Sequence, residues 1–141
     1  MPRPQPQLIA GGNILPGRFV KLSTAADFTG LQATANAAIL GVAGLGANYP
    51  PLSDLVGTNY HAQAGDPIDL KGDGEVVQVI AGDTISPGDR LKSDGNGAAV
   101  PIASTGTTIQ HYGAVALQEA VAGDFVWVQV TANRSERPAL A

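Results

Sequence analysis

Four of the five Gly-Asp dipeptides in this chain, each just ahead of a short apolar run, are the feature that most limits how it can fold. They are Gly65-Asp66, Gly82-Asp83, Gly88-Asp89 and Gly123-Asp124. Glycine permits the positive φ angles of tight turns, and an Asp side chain can accept a hydrogen bond from a nearby backbone N–H group. The pairs therefore predict turns between short strands. Calcium binding is the chemical alternative, but the surrounding carboxylates do not follow the spacing of a calcium-binding loop.

The apolar runs between these turns have the length and composition of β-strands. A helix is disfavoured in the Ala-rich segment after Gly30 because Gly41, Gly44 and Gly46 interrupt it. The fold class is therefore all-β, a small β-barrel or β-sandwich with short strands and Gly-Asp turns. No long tandem repeat is recognised. The predicted strands are Gly17–Ser23, Leu31–Asn36, Ala38–Gly44, Pro67–Gly72, Glu75–Ala81, Arg90–Asp94, Ala98–Ala103, His111–Ala120 and Asp124–Ala132.

The last predicted strand is apolar on both faces. Phe125 and Trp127 alternate with Val126, Val128 and Val130. A small barrel has one interior, so the second face is predicted to pack under a loop, under the N-terminal arm or against another subunit. Because large aromatic side chains are usually mostly buried, Trp127 is predicted to pack in the core or cap the barrel. An interaction surface formed by Trp127 and Tyr112 is the alternative interpretation.

Residues 1–17 are predicted to form an extended N-terminal arm, because Pro2, Pro4 and Pro6 alternate with Arg and Gln. A disordered terminus is the alternative interpretation. Residues 18–132 are predicted to form a single β domain, followed by a loose C-terminal tail at 133–141. Removing Met1–Gly12 is accordingly expected to leave the domain folded.

Composition and motifs argue against several classes of function. The net charge is −4 and the eight Lys and Arg residues are scattered, which disfavours nucleic-acid binding. No apolar run approaches the length of a membrane helix, and no signal peptide is recognised. Cysteine is absent, and His61 and His111 lack metal-ligand spacing. No catalytic set, metal site or cofactor is predicted, so we expect a protein that is not an enzyme.

Charged residues make up 14 % of the chain, against about 25 % in typical domains. A small domain with so few charges is expected to cover much of its surface by self-association or by a large partner. The segments "AILGVA", "AGDPIDL", "GEVVQVIAGDTISPGDRL", "GAAVPIA" and "GAVALQEAVAGDFVWVQV", in this order, resemble the small capsid decoration (cement) proteins of tailed bacteriophages. The resemblance covers Gly17 to Val130, apart from an insertion at residues 44–61 whose role it does not explain.

The resemblance implies a non-enzymatic β-barrel or β-sandwich on the virion capsid surface, made in the host cytoplasm. Its partners would be the major capsid protein and itself, as a homotrimer, with neither nucleic acid nor membrane. The predicted capsid or subunit interface lies on the arm, at Pro2, Arg3, Pro4, Leu8, Ile9, Ile14 and Leu15. Two alternatives stay open at this point: a small ligand-binding or accessory enzyme barrel, and another virion part such as a tail or fibre module.

Overall fold

The computed structural model of the protein describes residues 8–44, 62–102 and 109–136, and these are all-β, as the sequence predicts. Each predicted strand region overlaps a strand, and a first strand that the sequence did not reveal lies at Ile9–Ala10. The strands are β1 (Ile9–Ala10), β2 (Arg18–Leu22), β3 (Thr29–Gln32), β4 (Gly41–Ala43), β5 (Leu70–Lys71), β6 (Val76–Ile80), β7 (Arg90–Ser93), β8 (Ala99–Pro101), β9 (Gln110–Ala116) and β10 (Phe125–Glu136).

The strands form two five-stranded sheets, in the orders β1-β3-β2-β4-β5 and β6-β10-β9-β7-β8. Each sheet curls until its ends meet. In the first sheet an antiparallel bridge joins Ile9 to Pro67, just before β5. In the second a parallel bridge joins Ala81, just after β6, to Ala99 of β8. We call these closed units barrel 1 (β1–β5) and barrel 2 (β6–β10).

The two barrels repeat each other in sequence. Leu8–Leu22 and Val79–Ser93 align without a gap, with seven of fifteen residues identical. Ala62–Asp66 and Ala120–Asp124 share four of five residues. The chain is therefore internally duplicated, and the expectation of no long repeat is wrong. The repeat was missed because its identities are confined to these islands, and because residues 45–61 lengthen one copy only.

Strand pairing shows that the duplication is structural, since every pair of neighbouring strands in barrel 1 has its counterpart in barrel 2. The strands correspond in chain order: β1 to β6, β2 to β7, β3 to β8, β4 to β9 and β5 to β10. Lys21↔Leu31 matches Lys92↔Val100, Phe19↔Val42 matches Arg90↔Val115, and Ala43↔Leu70 matches Ala116↔Val128. We call two residues that occupy equivalent positions in these registers, one in each barrel, counterparts.

Three of the four Gly-Asp pairs close the same kind of turn. In Gln63–Asp66, Ser86–Asp89 and Val121–Asp124 the last residue's N–H donates to the first residue's carbonyl, at 2.9, 3.2 and 3.1 Å. The glycine before the Asp has φ of 91°, 87° and 93°, which is the pattern of a type II turn. The Oδ2 atoms of Asp66 and Asp89 also accept hydrogen bonds from Gln63 N and Ser86 N.

Gly82 is required for a different reason. Its N–H donates to Ala99 O at 2.8 Å, and an added Cβ would lie 3.1 Å from Val100 and 3.2 Å from Ala98. Its counterpart in barrel 1, Gly11, likewise donates to Gly30 O at 2.9 Å. Both glycines therefore let the first and third strands of their barrel approach closely.

Two apolar clusters hold the fold together. One fills barrel 1 and consists of Ala10, Ile14, Val20, Ala43, Ala62 and Ile68. The other fills barrel 2, where Val126, Val128 and Val130 are fully buried, and continues into Phe19, Ala33, Ile39 and Val42 of barrel 1. The second cluster therefore joins the two barrels.

Residues 8–17, assigned to an arm from the sequence, lie within barrel 1. Ala10 N donates to Asp66 O and Ile14 N to Ala62 O, both at 2.8 Å. Ile14 has 0 % exposure, so its side chain packs inside its own chain and not against a neighbour. The arm prediction overlooked that these apolar residues complete a sheet. Because Met1–Gly12 contains β1, its removal is no longer expected to leave barrel 1 intact.

At the other end of the chain, β10 extends to Glu136. Its backbone pairs Arg134 with Tyr112 and Glu136 with Gln110 after an irregularity beyond Val130. Residues 133–136 are therefore part of the sheet, where the sequence suggested a loose tail. Residues 45–61 of the insertion and residues 137–141 lie outside the described residues.

Candidate interaction surfaces

The two barrels are joined through their backbones at a point where they differ. In barrel 1, Ile9 N donates to Phe28 O at 2.8 Å. The counterpart atoms in barrel 2, Ile80 N and Gly97 O, bond instead to barrel 1: Ile80 N donates to Gly17 O, and Phe19 N donates to Gly97 O, both at 2.9 Å. We call the position of these two atoms the seam of each barrel: Ile9 N and Phe28 O in barrel 1, and Ile80 N and Gly97 O in barrel 2. The seam of barrel 2 is therefore filled by the Gly17–Phe19 edge of barrel 1.

Side chains reinforce this filled seam. Arg18 Nη1 and Gln32 Nε2 both donate to Asn96 O at 2.9 Å. Gln32 Oε1 also accepts from Leu15 N at 2.8 Å. Burial lowers the pKa of the Arg18 guanidinium below its usual value, while the nearby Asp94 carboxylate acts in the opposite direction. Arg18 therefore ties the barrels together by hydrogen bonding, in a partly desolvated place.

An apolar patch lies on the outer face of barrel 2. Trp127 is 45 % exposed, so the prediction that it packs in the core is wrong. Its strand alternates, with Val126 and Val128 facing inward, and this places Phe125 and Trp127 outward together. Leu117 lies beside Trp127, because Leu117 N donates to Trp127 O at 2.9 Å. We call the exposed apolar residues Val76, Leu117, Val121, Phe125 and Trp127 the outer patch.

The duplication provides an internal control for this patch. The counterparts of Phe125, Trp127, Val121 and Leu117 are Pro67, Asp69, Gln63 and Gly44. The same backbone therefore accepts smaller or polar residues at these positions in barrel 1. Folding alone does not require the large apolar side chains of barrel 2, and exposed apolar patches of this kind mark sites of interaction.

A second apolar surface lies at the tip of barrel 1. Leu22 and Phe28 are 53 % and 55 % exposed, and Phe28 has a positive φ of 49°. Together with Leu8 and the turn Ser23–Phe28 they line an open groove of about 370 Å³. This tip adjoins the seam of barrel 1, since Phe28 O is the acceptor that closes it.

The interface residues proposed from the sequence fall in different places. Leu8 lines the groove, Ile9 belongs to β1 and Leu15 is half-buried; all three are partly exposed. Pro2, Arg3 and Pro4 lie outside the described residues. Of the exposed apolar residues of the patch and the tip, the sequence offered only Trp127 as an interface residue, and only as the alternative to core packing. A comparison of the two halves of the sequence could have identified the patch.

The acidic residues of the Gly-Asp pairs do not come together. Within the three described ranges, no group of three His, Asp or Glu side chains is arranged to hold a metal ion. No helix in that part of the chain is long and apolar enough to span a bilayer. Among the described residues, the surfaces suited to binding a partner are therefore the two apolar ones, the outer patch and the tip of barrel 1.

Comparison with known proteins gives two findings. The model of the family described as XM1 gp53 minor capsid protein matches residues 3–130. A solved structure, titled "The crystal structure of head fiber gp8.5 N base in bacteriophage phi29", is similar with a TM-score of 0.52 at 23 % identity, covering 93 % of this chain and 96 % of that one. That likeness shows a common fold. No curated protein matches the chain.

Proposed function

We propose, from the premise that this chain belongs to the XM1 gp53 minor capsid protein family of phages, that it decorates the phage head. In this proposal it binds the outside of the expanded shell and bridges neighbouring major capsid subunits. The family match covers most of the chain and makes it a capsid-associated virion protein, as the sequence resemblance suggested. The decoration role, the major capsid partner and the trimer are the finer claims made here.

The observation that carries the proposal is the outer patch. Trp127, Phe125 and Leu117 present a contiguous apolar surface that barrel 1 does not need at its counterpart positions. Aromatic side chains at the centre of an interface commonly contribute most of its binding free energy. We therefore assign the outer patch to the head shell and Trp127 to the centre of that contact.

The action of such a protein is mechanical. A shell under internal pressure fails where subunits separate, and a protein seated across two subunits adds buried area there. A trimer multiplies weak contacts because the second and third copies bind at high effective concentration. Binding only to the expanded shell stabilises that state by mass action. No bond is made or broken, so we propose that the protein is not an enzyme.

Co-sedimentation with purified, undecorated, expanded heads tests the proposal. Wild-type protein is expected to pellet with heads, and Trp127→Asp, which installs the barrel 1 residue, is expected to bind at least about tenfold more weakly, or about 1.4 kcal/mol. Asp69→Asn alters the counterpart position on barrel 1 and should bind as wild type does. Equal binding by Trp127→Asp, with an unchanged melting temperature, would refute the assignment of the patch.

A base that anchors a longer projection to the head is a second candidate. The shared fold with a phage head-fibre base brings this possibility forward. Imaging of particles that carry a labelled copy separates the two, because a decoration protein is spread over the shell, whereas a fibre base marks the foot of each projection.

A further inference from the structure

The turn between β7 and β8 places an Asn-Gly dipeptide, Asn96-Gly97, at the filled seam of barrel 2. Gly97 has a positive φ of 76°, and its N–H closes the turn by donating to Asp94 O at 3.3 Å. A Cβ added to Gly97 would lie 2.9 Å from Gln32 Cγ and 3.2 Å from Arg18 Cβ. Barrel 1 therefore approaches this turn so closely that the position requires glycine.

This dipeptide has a reactivity that no other pair of residues has to the same degree. The backbone nitrogen after an asparagine can attack the side-chain amide of that asparagine, and glycine has no side chain to shield the nitrogen. The Asn96 side chain is exposed, so water reaches its amide. Gly97 is buried, but its N–H is held inside the turn only by the 3.3 Å bond to Asp94 O, which is long for an N–H donor.

Two donors from barrel 1 converge on the peptide group that contains the attacking nitrogen. Asn96 O accepts hydrogen bonds from Arg18 Nη1 and from Gln32 Nε2, both at 2.9 Å. A peptide group is conjugated, so when Gly97 N loses its proton the negative charge is shared with Asn96 O. A guanidinium donates more strongly to an anionic oxygen than to a neutral one. The two donors therefore stabilise the reactive, deprotonated form of Gly97 N.

The Asp94 carboxylate opposes this stabilisation, but it is itself occupied by the turn. Its Oδ1 atom accepts from Asn96 N at 2.8 Å and from Ala98 N at 3.0 Å. Asp94 also attracts the Arg18 guanidinium. The carboxylate therefore fixes the turn and holds the charged donor beside it, and it leaves the Asn96 side-chain amide open to attack.

We propose that Asn96-Gly97 is a self-modification site, at which the chain converts Asn96 into an aspartyl or isoaspartyl residue. Gly97 N forms a bond to Asn96 Cγ, the Cγ–Nδ2 bond breaks, and the side-chain nitrogen leaves as ammonia with the proton from Gly97 N. Water then opens the resulting succinimide ring. Cleavage between Gly97 N and Cγ gives the aspartyl product, and cleavage between Gly97 N and the Asn96 carbonyl carbon gives the isoaspartyl product. No oxidant or reductant takes part.

The isoaspartyl product changes the contact between the barrels. Its linkage runs through Cγ, so the backbone before Gly97 gains one methylene, and a free carboxylate stands where Arg18 and Gln32 bound a carbonyl. The longer backbone displaces Gly97 O from Phe19 N, which donates to it at 2.9 Å in the unmodified chain. The filled seam therefore loses a backbone hydrogen bond as the chain ages. This inference goes beyond the proposed function, since the reaction needs neither a head nor a second copy.

Timed incubation of the purified full chain at mildly alkaline pH tests the site. Isoaspartyl content is measured with an isoaspartyl methyltransferase, and peptide mass spectrometry locates it. Modification is expected to accumulate at Asn96, whereas Asn13 and Asn36, which precede Ile14 and Ala37, should stay intact over the same period. Asn96→Gln keeps an amide but needs a larger ring, so it should abolish the reaction at this position.

Variants of the two donors separate activation by the seam from the reactivity of the dipeptide alone. Arg18→Met removes the charged donor and should slow the modification at least about fivefold, which is less than a preorganised donor contributes in an enzyme because this site is open to water. Arg18→Lys keeps the charge and should retain most of the rate. Gln32→Glu keeps an acceptor for Leu15 N but removes the second donor, and it serves as the slowed variant should Arg18→Met unfold.

Three results would overturn the inference. One is a folded Arg18→Met chain, or in its place Gln32→Glu, that is modified as fast as wild type or faster. Another is a wild-type chain that stays intact at Asn96 for a period in which the same chain, unfolded in urea, is extensively modified there. The third is modification spread equally over Asn13, Asn36 and Asn96.

Discussion

Gly113 of β9 gives the sharpest test of how the two barrels meet. A Cβ added at this position would lie 2.7 Å from Ile39 Cβ and 2.8 Å from its Cδ1, and still closer to its Cγ2. Ile39 is fully buried within the cluster that joins the barrels, and its Cβ is fixed to the backbone. Gly113→Ala therefore cannot be accommodated by turning a flexible side chain, and the barrels must shift apart.

The expected cost follows from two opposing effects. Overpacking of a buried contact costs about 1–3 kcal/mol. Replacing a strand glycine by alanine recovers roughly 0.5–1 kcal/mol, because the unfolded chain loses freedom. We therefore expect Gly113→Ala to lower the free energy of unfolding by up to about 2.5 kcal/mol, or up to roughly 10 °C in melting temperature for a chain of this size.

Urea unfolding of a double-mutant cycle with Ile39→Ala tests this explanation. Ile39→Ala alone should cost about 2–5 kcal/mol, but it removes two of the three close atoms. The double variant should thus be more stable than the sum of the two changes predicts, by at least about 0.5 kcal/mol. Gly95→Ala, which meets no atom within 4 Å, is the control. Strict additivity, or stabilisation by Gly113→Ala, would refute the packing described here.

Other changes follow from the turns and the first strand. Gly88→Val should destabilise the chain by about 1–3 kcal/mol in thermal unfolding, because φ is 87° there, whereas Gly88→Asn should cost less. Asp89→Ala should cost about 0.5–1.5 kcal/mol in urea, since it removes the acceptor for Ser86 N; an unchanged midpoint would contradict that bond. Deleting residues 1–12, which contain β1, should lower the melting temperature more than deleting residues 1–7, and equal effects would count against the pairing of β1 with β3.

Local chemistry explains what the sequence could predict. Glycine and aspartate at Ser86–Asp89 specify a turn whatever surrounds them, and alternation in β10 places its three valines together on one face. Strand positions therefore followed from the residues themselves. Ile14 and the rest of residues 8–17 did not, because a short segment joins a sheet only if that sheet offers an edge. This depends on the tertiary structure and not on local propensity.

The exposure of Trp127 could not be inferred from its residue type. A strand with two apolar faces needs two partners, and in this chain the inward face has the barrel interior. The outward face of Phe19 and Val42 on barrel 1 finds its partner in barrel 2. The outward face of Trp127 has no such partner among the described residues. The general tendency of aromatic residues to be buried does not tell which outward face will be covered by another part of the chain.

The duplication also shows how one fold can come to serve two contacts. Duplicate barrels begin with equal surfaces, so a large apolar residue opposite a charged counterpart points to a contact that only one barrel makes. Phe19 opposite Arg90 reflects the contact inside the chain, where only barrel 1 has its edge buried. Trp127 opposite Asp69 cannot reflect that contact, because Trp127 remains exposed when it is made. An apolar residue that neither the fold nor the internal contact uses is best explained by a partner outside the chain, and this is why the outer patch, and not the arm, is assigned to the head.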